Sequence, residues 1–142
     1  MPAALEHNIG ILVRVVFDEG ILTGRCTVNS EFPEGDFRKN HFAGDRLARA
    51  VKRVEKIETD IAESGLTLPQ AAVRFALAQP AVSTIIAGIR NVQQTEANVA
   101  ASDLPPLRPE LLSKLHERVW LRGFWYSGKY YLCQVMVWFI DA

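Results

Sequence analysis

The chain has 142 residues, of which 49% are hydrophobic and 23% charged, and its formal net charge is zero. That length suits one modest domain with a real core, and the composition is that of an ordinary soluble globular protein. Balanced charge argues against a nucleic-acid groove or a polybasic membrane contact, since both need clustered cations.

Cys26 and Cys133 stand far apart. They offer neither a metal-ligand spacing nor a disulfide framework, so a reduced, cytoplasmic setting is the expectation. Residues 1–10 lack a basic region followed by a long apolar stretch, and no signal peptide is expected. The apolar run at residues 130–140 is shorter than the roughly 20 residues a spanning helix needs.

Residues 9–17, Ile-Gly-Ile-Leu-Val-Arg-Val-Val-Phe, are nearly all apolar and rich in β-branched side chains. Such a run predicts a strand buried on both faces, as in a parallel sheet. Asp18-Glu19-Gly20 signals a turn. Residues 27–44 are polar and broken by Pro33, Gly35 and Gly44, which predicts a long loop of the kind that usually carries function. Asp45 is placed to cap a helix with its carboxylate. Leu47, Val51, Val54, Ile57 and Ile61 then recur at helical spacing, and Gly65 offers a left-handed stop.

Thr67-Leu68-Pro69-Gln70 has the spacing of a capping box, Thr at the cap and Gln three residues on. Val73, Ala76 and Leu77 form an inward stripe and Pro80 closes that helix. Residues 82–86 predict a second strand. Asn91 caps a helix reaching about Ala101, and Pro105, Pro106 and Pro109 precede a last amphipathic helix over about 110–120. Strand, loop, two helices, strand and two helices make an α/β arrangement with a right-handed crossover. Two strands alone leave both edges unpaired, so the chain reads as part of something larger.

Ligands of α/β folds sit at the C-terminal ends of the strands. Two segments fall there. After the first strand comes Phe17-Asp18-Glu19-Gly20-Ile21-Leu22-Thr23-Gly24-Arg25, whose glycines admit a ligand close to the backbone; an ordinary turn has the same composition. After the second comes Ala87-Gly88-Ile89-Arg90-Asn91. A capped helix N-terminus with an adjacent guanidinium suits an anion, phosphate above all. The same residues also make a plain capped helix with a solvent-exposed arginine.

The stretch from Ser83 to Asn98, Ser-Thr-Ile-Ile-Ala-Gly-Ile-Arg-Asn-Val-Gln-Gln-Thr-Glu-Ala-Asn, resembles the strand-eight signature of the aldo-keto reductase family: a strand, Gly-x-Arg/Ser, a Gln, then Glu-Asn. Phe17 to Arg25 resembles the family's Pro-Leu-x-x-Gly-x-Leu-Thr-Gly-Lys segment after strand seven. Phe37-Arg38 and Asp45-Arg46-Leu47 fit the long loop and the helix start that follow. The likeness covers about Glu6 to Trp120, and its two motifs stand in the right order at compatible spacing.

This resemblance implies the last two strand–helix units, with extra helices, of a (β/α)8 TIM barrel that reduces carbonyls with NADPH. By position, Gly20, Ile21 and Leu22 would run along the pyrophosphate of NADP(H), and Arg90 would hold the 2′-phosphate. Gly88 would admit that phosphate to the backbone, with Gln94 and Asn98 facing the adenine. Two residues depart from the pattern. Ala97 stands where the family has Glu, with Glu96 displaced about 100° around the helix, and Val16 replaces the usual proline.

The family's catalytic Asp, Tyr, Lys and His lie on earlier strands, and nothing in this chain matches their context. His7 reads as a surface residue, His41 as a loop residue, and His116 as solvated or half-buried in the last helix. Asp18 and Glu19 are adjacent rather than opposed, so they make no acid–base pair. The expectation is a cofactor half-site in residues 1–120 without catalytic residues, associated with a chain supplying the other half or with itself. The alternative is a non-catalytic nucleotide-binding or protein-interaction module. The segment 121–142, with Phe124, Trp125, Tyr126, Tyr130, Tyr131, Trp138 and Phe139, resembles no usual family ending; a cover for an exposed barrel edge, a partner surface, and non-family sequence joined by an altered reading frame or splice all fit it.

Overall fold

The computed structural model describes residues 2–120. The aromatic segment 121–142 and Cys133, with the expectations placed on them, lie outside the described residues. A short helix α1 (Pro2–Glu6) leads into strand β1 (Ile11–Arg14), then a 3-10 turn at Asp18–Thr23. The crossover carries α2 (Phe37–His41), α3 (Arg46–Ile61) and α4 (Leu68–Leu77) before β2 (Val82–Ile86), and α5 (Val92–Asp103) and α6 (Pro109–Glu117) follow.

The two strands pair in parallel, with Leu12 opposite Thr84, Val13 opposite Ile85 and Arg14 opposite Ile86. An irregularity between Ile11 and Leu12 leaves Ser83 as the extra residue of β2. Gly10 lies against that residue: a Cβ there would fall 2.4 Å from the Ser83 hydroxyl and 3.3 Å from its Cβ. The missing side chain makes room for the bulge.

β1 is shorter than the apolar run predicts. Val15 takes a left-handed backbone, φ 59°, which ends the extended conformation directly after Arg14. Nor are both faces buried. Val13 is buried, whereas Leu12, Arg14, Thr84 and Ile86 are all exposed and share the opposite face of the ladder.

The principal core gathers Ile21 from the turn, Phe42, Leu47, Ala50, Val51, Val54 and Ile61 around α3, Leu68 and Ala71 of α4, and Leu107, Leu111 and Leu115 at α6. α4 is apolar on a second side too. Val73 and Ala76 are buried outside that cluster, roughly 120° around the helix, and α4 also contacts β2 and α5. Its start is the capping box the sequence spelled out. The Thr67 hydroxyl accepts from the Gln70 amide at 3.4 Å, and the Gln70 side chain accepts from the Thr67 amide at 2.8 Å.

Two readings of the crossover change. Asp45 does not cap α3. It sits in helical backbone, φ −86° and ψ −1°, with no side-chain bond to the first turn, because a cap needs the extended backbone that aims its oxygen at the free amides. Its carboxylate pairs instead with Arg49 at 3.1 Å. The long loop also contains α2, capped by Asp36, and His41 ends that helix. His41, expected in a loop, is 7% exposed and packs edge-on to Phe42, with ring centroids 4.7 Å apart. Phe42 brings it to the core.

Asp60 and Arg118 tie α3 to the end of α6. The guanidinium donates to both carboxylate oxygens, at 2.6 and 3.3 Å, and these bonds hold the Asp60 carboxyl below its ordinary range.

Replacing Thr67 with Ala is expected to cost about 1 kcal/mol of unfolding free energy, while Asp45→Ala, with no cap to lose, costs less; denaturant titration of both variants checks the order. A carboxyl depressed in the folded state stabilises above its unfolded pKa and loses that contribution as pH falls through the folded value. The wild-type chain should therefore lose stability below about pH 4 more steeply than Asp60→Asn, as read from melting midpoints across an acid series.

Candidate functional site

The parallel register sets the site. Because Arg14 lies opposite Ile86, both strands finish side by side, and the segments that follow emerge at one end of the ladder. Gly20 lies in the first, and Gly88 and Arg90 in the second.

In the first segment Ile21 is the anchor. Its side chain is 1% exposed and belongs to the core, so only its backbone is available to a ligand. Leu22 is half-buried against the same core. Gly20 adopts φ 94°, a conformation that glycine holds without penalty. The amides of Gly20 and Leu22 both donate to the Phe17 carbonyl, at 2.9 and 3.1 Å, and Thr23 closes the turn with a 2.6 Å bond from its hydroxyl to the Gly20 carbonyl.

In the second segment Asn91 caps α5 as its sequence predicts, accepting from the Gln94 amide at 2.9 Å. The Gln94 side chain accepts from the Arg90 amide at 2.7 Å. Asn98 donates to the Gly88 carbonyl at 3.4 Å. Gln94 and Asn98 thus hold the loop that carries Arg90. The Arg90 side chain is exposed, and a Cβ at Gly88 would meet nothing within 4 Å. The first amides of α5 have no intrahelical acceptor, so an open surface, a cation and a helix N-terminus meet here.

Asp36 is not among the residues that the sequence singles out, and Arg38 stands there only as part of the likeness to the family's long loop. The Asp36 carboxylate accepts from the Arg38 amide at 2.9 Å and grips its guanidinium at 3.0, 3.1 and 2.6 Å. The guanidinium lies over the Phe32 ring, 4.8 Å from its centroid. A third guanidinium nitrogen would sit 3.9 Å from a Cβ placed on Gly20. This cluster fastens the long crossover segment beside the turn.

The side-chain bonds from Arg38 bring the Asp36 carboxyl down to about 2, its backbone bond adds to them, and the charge of Arg90 reinforces the effect. Burial raises the thiol of Cys26 above its ordinary value, against an opposing pull from Arg38. The Asp36-x-Arg38 spacing at a helix start was the available signal, since an N-capping aspartate can also reach the side chain two residues on.

Of the histidines, His7 is exposed, and His116 is half-buried, packed edge-on to Phe75 with ring centroids 5.0 Å apart. Among the described residues no group of three His, Cys, Asp or Glu side chains could hold a metal ion. No helix among them is long and apolar enough to cross a membrane.

Comparison with known proteins supplies the frame. The chain is 31% identical over 103 residues to an NADP(+) aldo-keto reductase of Schizosaccharomyces pombe, covering 71% of this chain and 30% of that protein. It is 24% identical over 115 residues to an uncharacterized oxidoreductase of Bacillus subtilis, covering 81% and 36%. It is 27% identical over 125 residues to a probable voltage-gated potassium channel subunit beta of Arabidopsis thaliana, covering 82% and 37%. The chain spans about a third of the length of these relatives. The sequence profile of the aldo/keto reductase family matches residues 1–118, and with these likenesses it places the chain in that family.

Proposed function

We propose that residues 1–120 supply the 2′-phosphate and adenine side of an NADP(H) site in a carbonyl-reducing (β/α)8 barrel, as its last two strand–helix units. The observation that carries this reading is the exposed Arg90 beside the capped N-terminus of α5. A planar guanidinium matches a phosphate dianion with two parallel donors, and the helix terminus favours the same charge.

The residues fit the group. Gly88 keeps the approach open. Gln94 holds the Arg90 backbone through its amide, so the guanidinium is presented from a fixed loop. Gly20 and Leu22 set the backbone of the facing turn, which Ile21 roots in the core. Asn98, bonded to the Gly88 carbonyl, stands one helical turn beyond Gln94 on the side proposed for the adenine. Bound NADPH would supply the hydride. The chain's own residues bind and orient, and none of them matches the family's catalytic Asp, Tyr, Lys and His.

A second reading, a protein-interaction module, is favoured by one observation: Leu12 and Ile86 lie exposed, 62% and 60%, on one face of the ladder. One relative is named as a channel subunit, which shows a family member described by an assembly rather than a reaction.

A ligand that binds only the folded state raises the melting midpoint, by about 2.7 kcal/mol of stability at a hundredfold excess over its Kd. A thermal melt should therefore shift upward with NADP⁺. Arg90→Ala should weaken that binding about tenfold to a hundredfold, the loss of a charge-assisted bidentate contact. A cooperative melt indifferent to NADP⁺ in the wild-type chain would favour the interaction module. The 142-residue chain by itself is expected to oxidise no NADPH with aldehyde or ketone substrates. Turnover by the pure chain that disappears on mutating one of its own residues would overthrow the half-site assignment.

A further inference from the structure

Arg14 is the last residue of the β1 ladder, because Val15 turns to φ 59° directly after it. Strand alternation puts it on the open face with Leu12, Thr84 and Ile86, and all four are exposed. It is the one charged group in that set. Among the described residues its guanidinium has no hydrogen-bond or ion-pair partner, whereas Arg38, Arg49 and Arg118 each hold a carboxylate.

Position and surroundings narrow what such a cation can meet. Ligands of a (β/α)8 barrel bind at the C-terminal ends of the strands. Arg14 stands at that end, in register with Ile86, which precedes Arg90 by four residues. Its neighbours on the face are two apolar side chains and one hydroxyl. A guanidinium enclosed among such groups and taken from water needs a counter-charge. The cofactor phosphates have other proposed holders, the Gly20 turn and Arg90 beside the start of α5. One planar fork with one positive charge matches a carboxylate, which accepts from two parallel donors.

We propose that Arg14 is a specificity-determining residue, which selects carbonyl substrates bearing a carboxylate through a bidentate contact on the open face. This inference rests on the NADP(H) barrel reading, because that reading makes the open face the substrate side.

The experiment is NMR shift perturbation on the purified full chain, a method that registers weak binding to a single wall of a site. The probes are para-hydroxymethylbenzoate and benzyl alcohol, the products that reduction of an acidic and a neutral aldehyde would give. Each is titrated into the wild type, Arg14→Met and Arg14→Lys, and NADP⁺ is titrated separately. The acid should shift the amides of Leu12, Arg14 and Ile86. It should bind Arg14→Met about tenfold to a hundredfold more weakly, the loss of a charge-assisted bidentate pair. Arg14→Lys should recover part of that loss, and benzyl alcohol should bind the wild type no better than the acid binds Arg14→Met.

Equal binding of the two probes, or an acid response that survives Arg14→Met, would overturn the proposal. So would a response centred on residues 88–92, which would mark the acid as a ligand of the phosphate site. If NADP⁺ binds and the acid does not, the substrate assignment fails and the cofactor reading stands. If NADP⁺ perturbs no amide of the wild-type chain, the cofactor reading fails and takes the substrate role of Arg14 with it.

Discussion

Two strands that run parallel cannot be joined by a tight turn; the chain must travel the length of the strand outside the sheet before it pairs again. Here that requirement falls on residues 15–81, which turn away from β1 at Val15 and return through α2, α3 and α4. The detour builds nine of the twelve residues of the principal core, since Ile21, Phe42, the inner face of α3 and the first turns of α4 all belong to it. It also leaves both strand ends at one side of the molecule. The candidate site is thus a consequence of the ladder: Arg14 opposite Ile86 fixes where Gly20 and Arg90 emerge.

The ladder is short, so its position depends on what packs against it. α4 is the link, because it is buried on two sides, toward α3 through Leu68 and Ala71 and toward the sheet side with Val73 and Ala76. A helix buried on one stripe could slide or roll with modest loss; one buried on two is fixed in rotation. Its capping box then fixes where it begins. The Asp36–Arg38 pair does for the long crossover segment what packing does for α4. A charge-assisted, bidentate contact stacked on Phe32 holds polar chain beside the Gly20 turn, where apolar burial is scarce.

Much of this was legible in the sequence where the signal was local. The capping box at Thr67, the cap at Asn91 and the stop at Gly65 depend on a few neighbouring residues, and they formed where the spacing put them. The apolar repeat of α3 was equally plain. Asp45 misled because the residue type suits a cap while its backbone angles, set by Gly44 and the preceding turn, do not. α2 and the burial of His41 were hidden in a polar stretch, since neither follows from periodicity in five residues. At the candidate site, the helix start capped by Asn91 was legible, but the engagement of the Gly20 and Leu22 amides by Phe17 is a matter of backbone angles that no residue letter encodes.

The apolar run of β1 raises the remaining question. A strand with Ile11, Leu12 and Val13 in succession has the composition of one buried on both faces, yet Leu12 is exposed beside Arg14, Thr84 and Ile86. One face of the ladder is explained by α4 and its neighbours. The other carries apolar residues that the described residues leave in solvent, at a cost that grows with exposed area. On the proposed reading, that face is the inner wall of a barrel and the exposure is a requirement for the remaining strands. The interaction reading asks for the same coverage from a partner. Both start from one observation, that Leu12 and Ile86 lie exposed on one face of the ladder, and the difference between them lies at the C-terminal end of the strands, in whether Arg90 holds a phosphate.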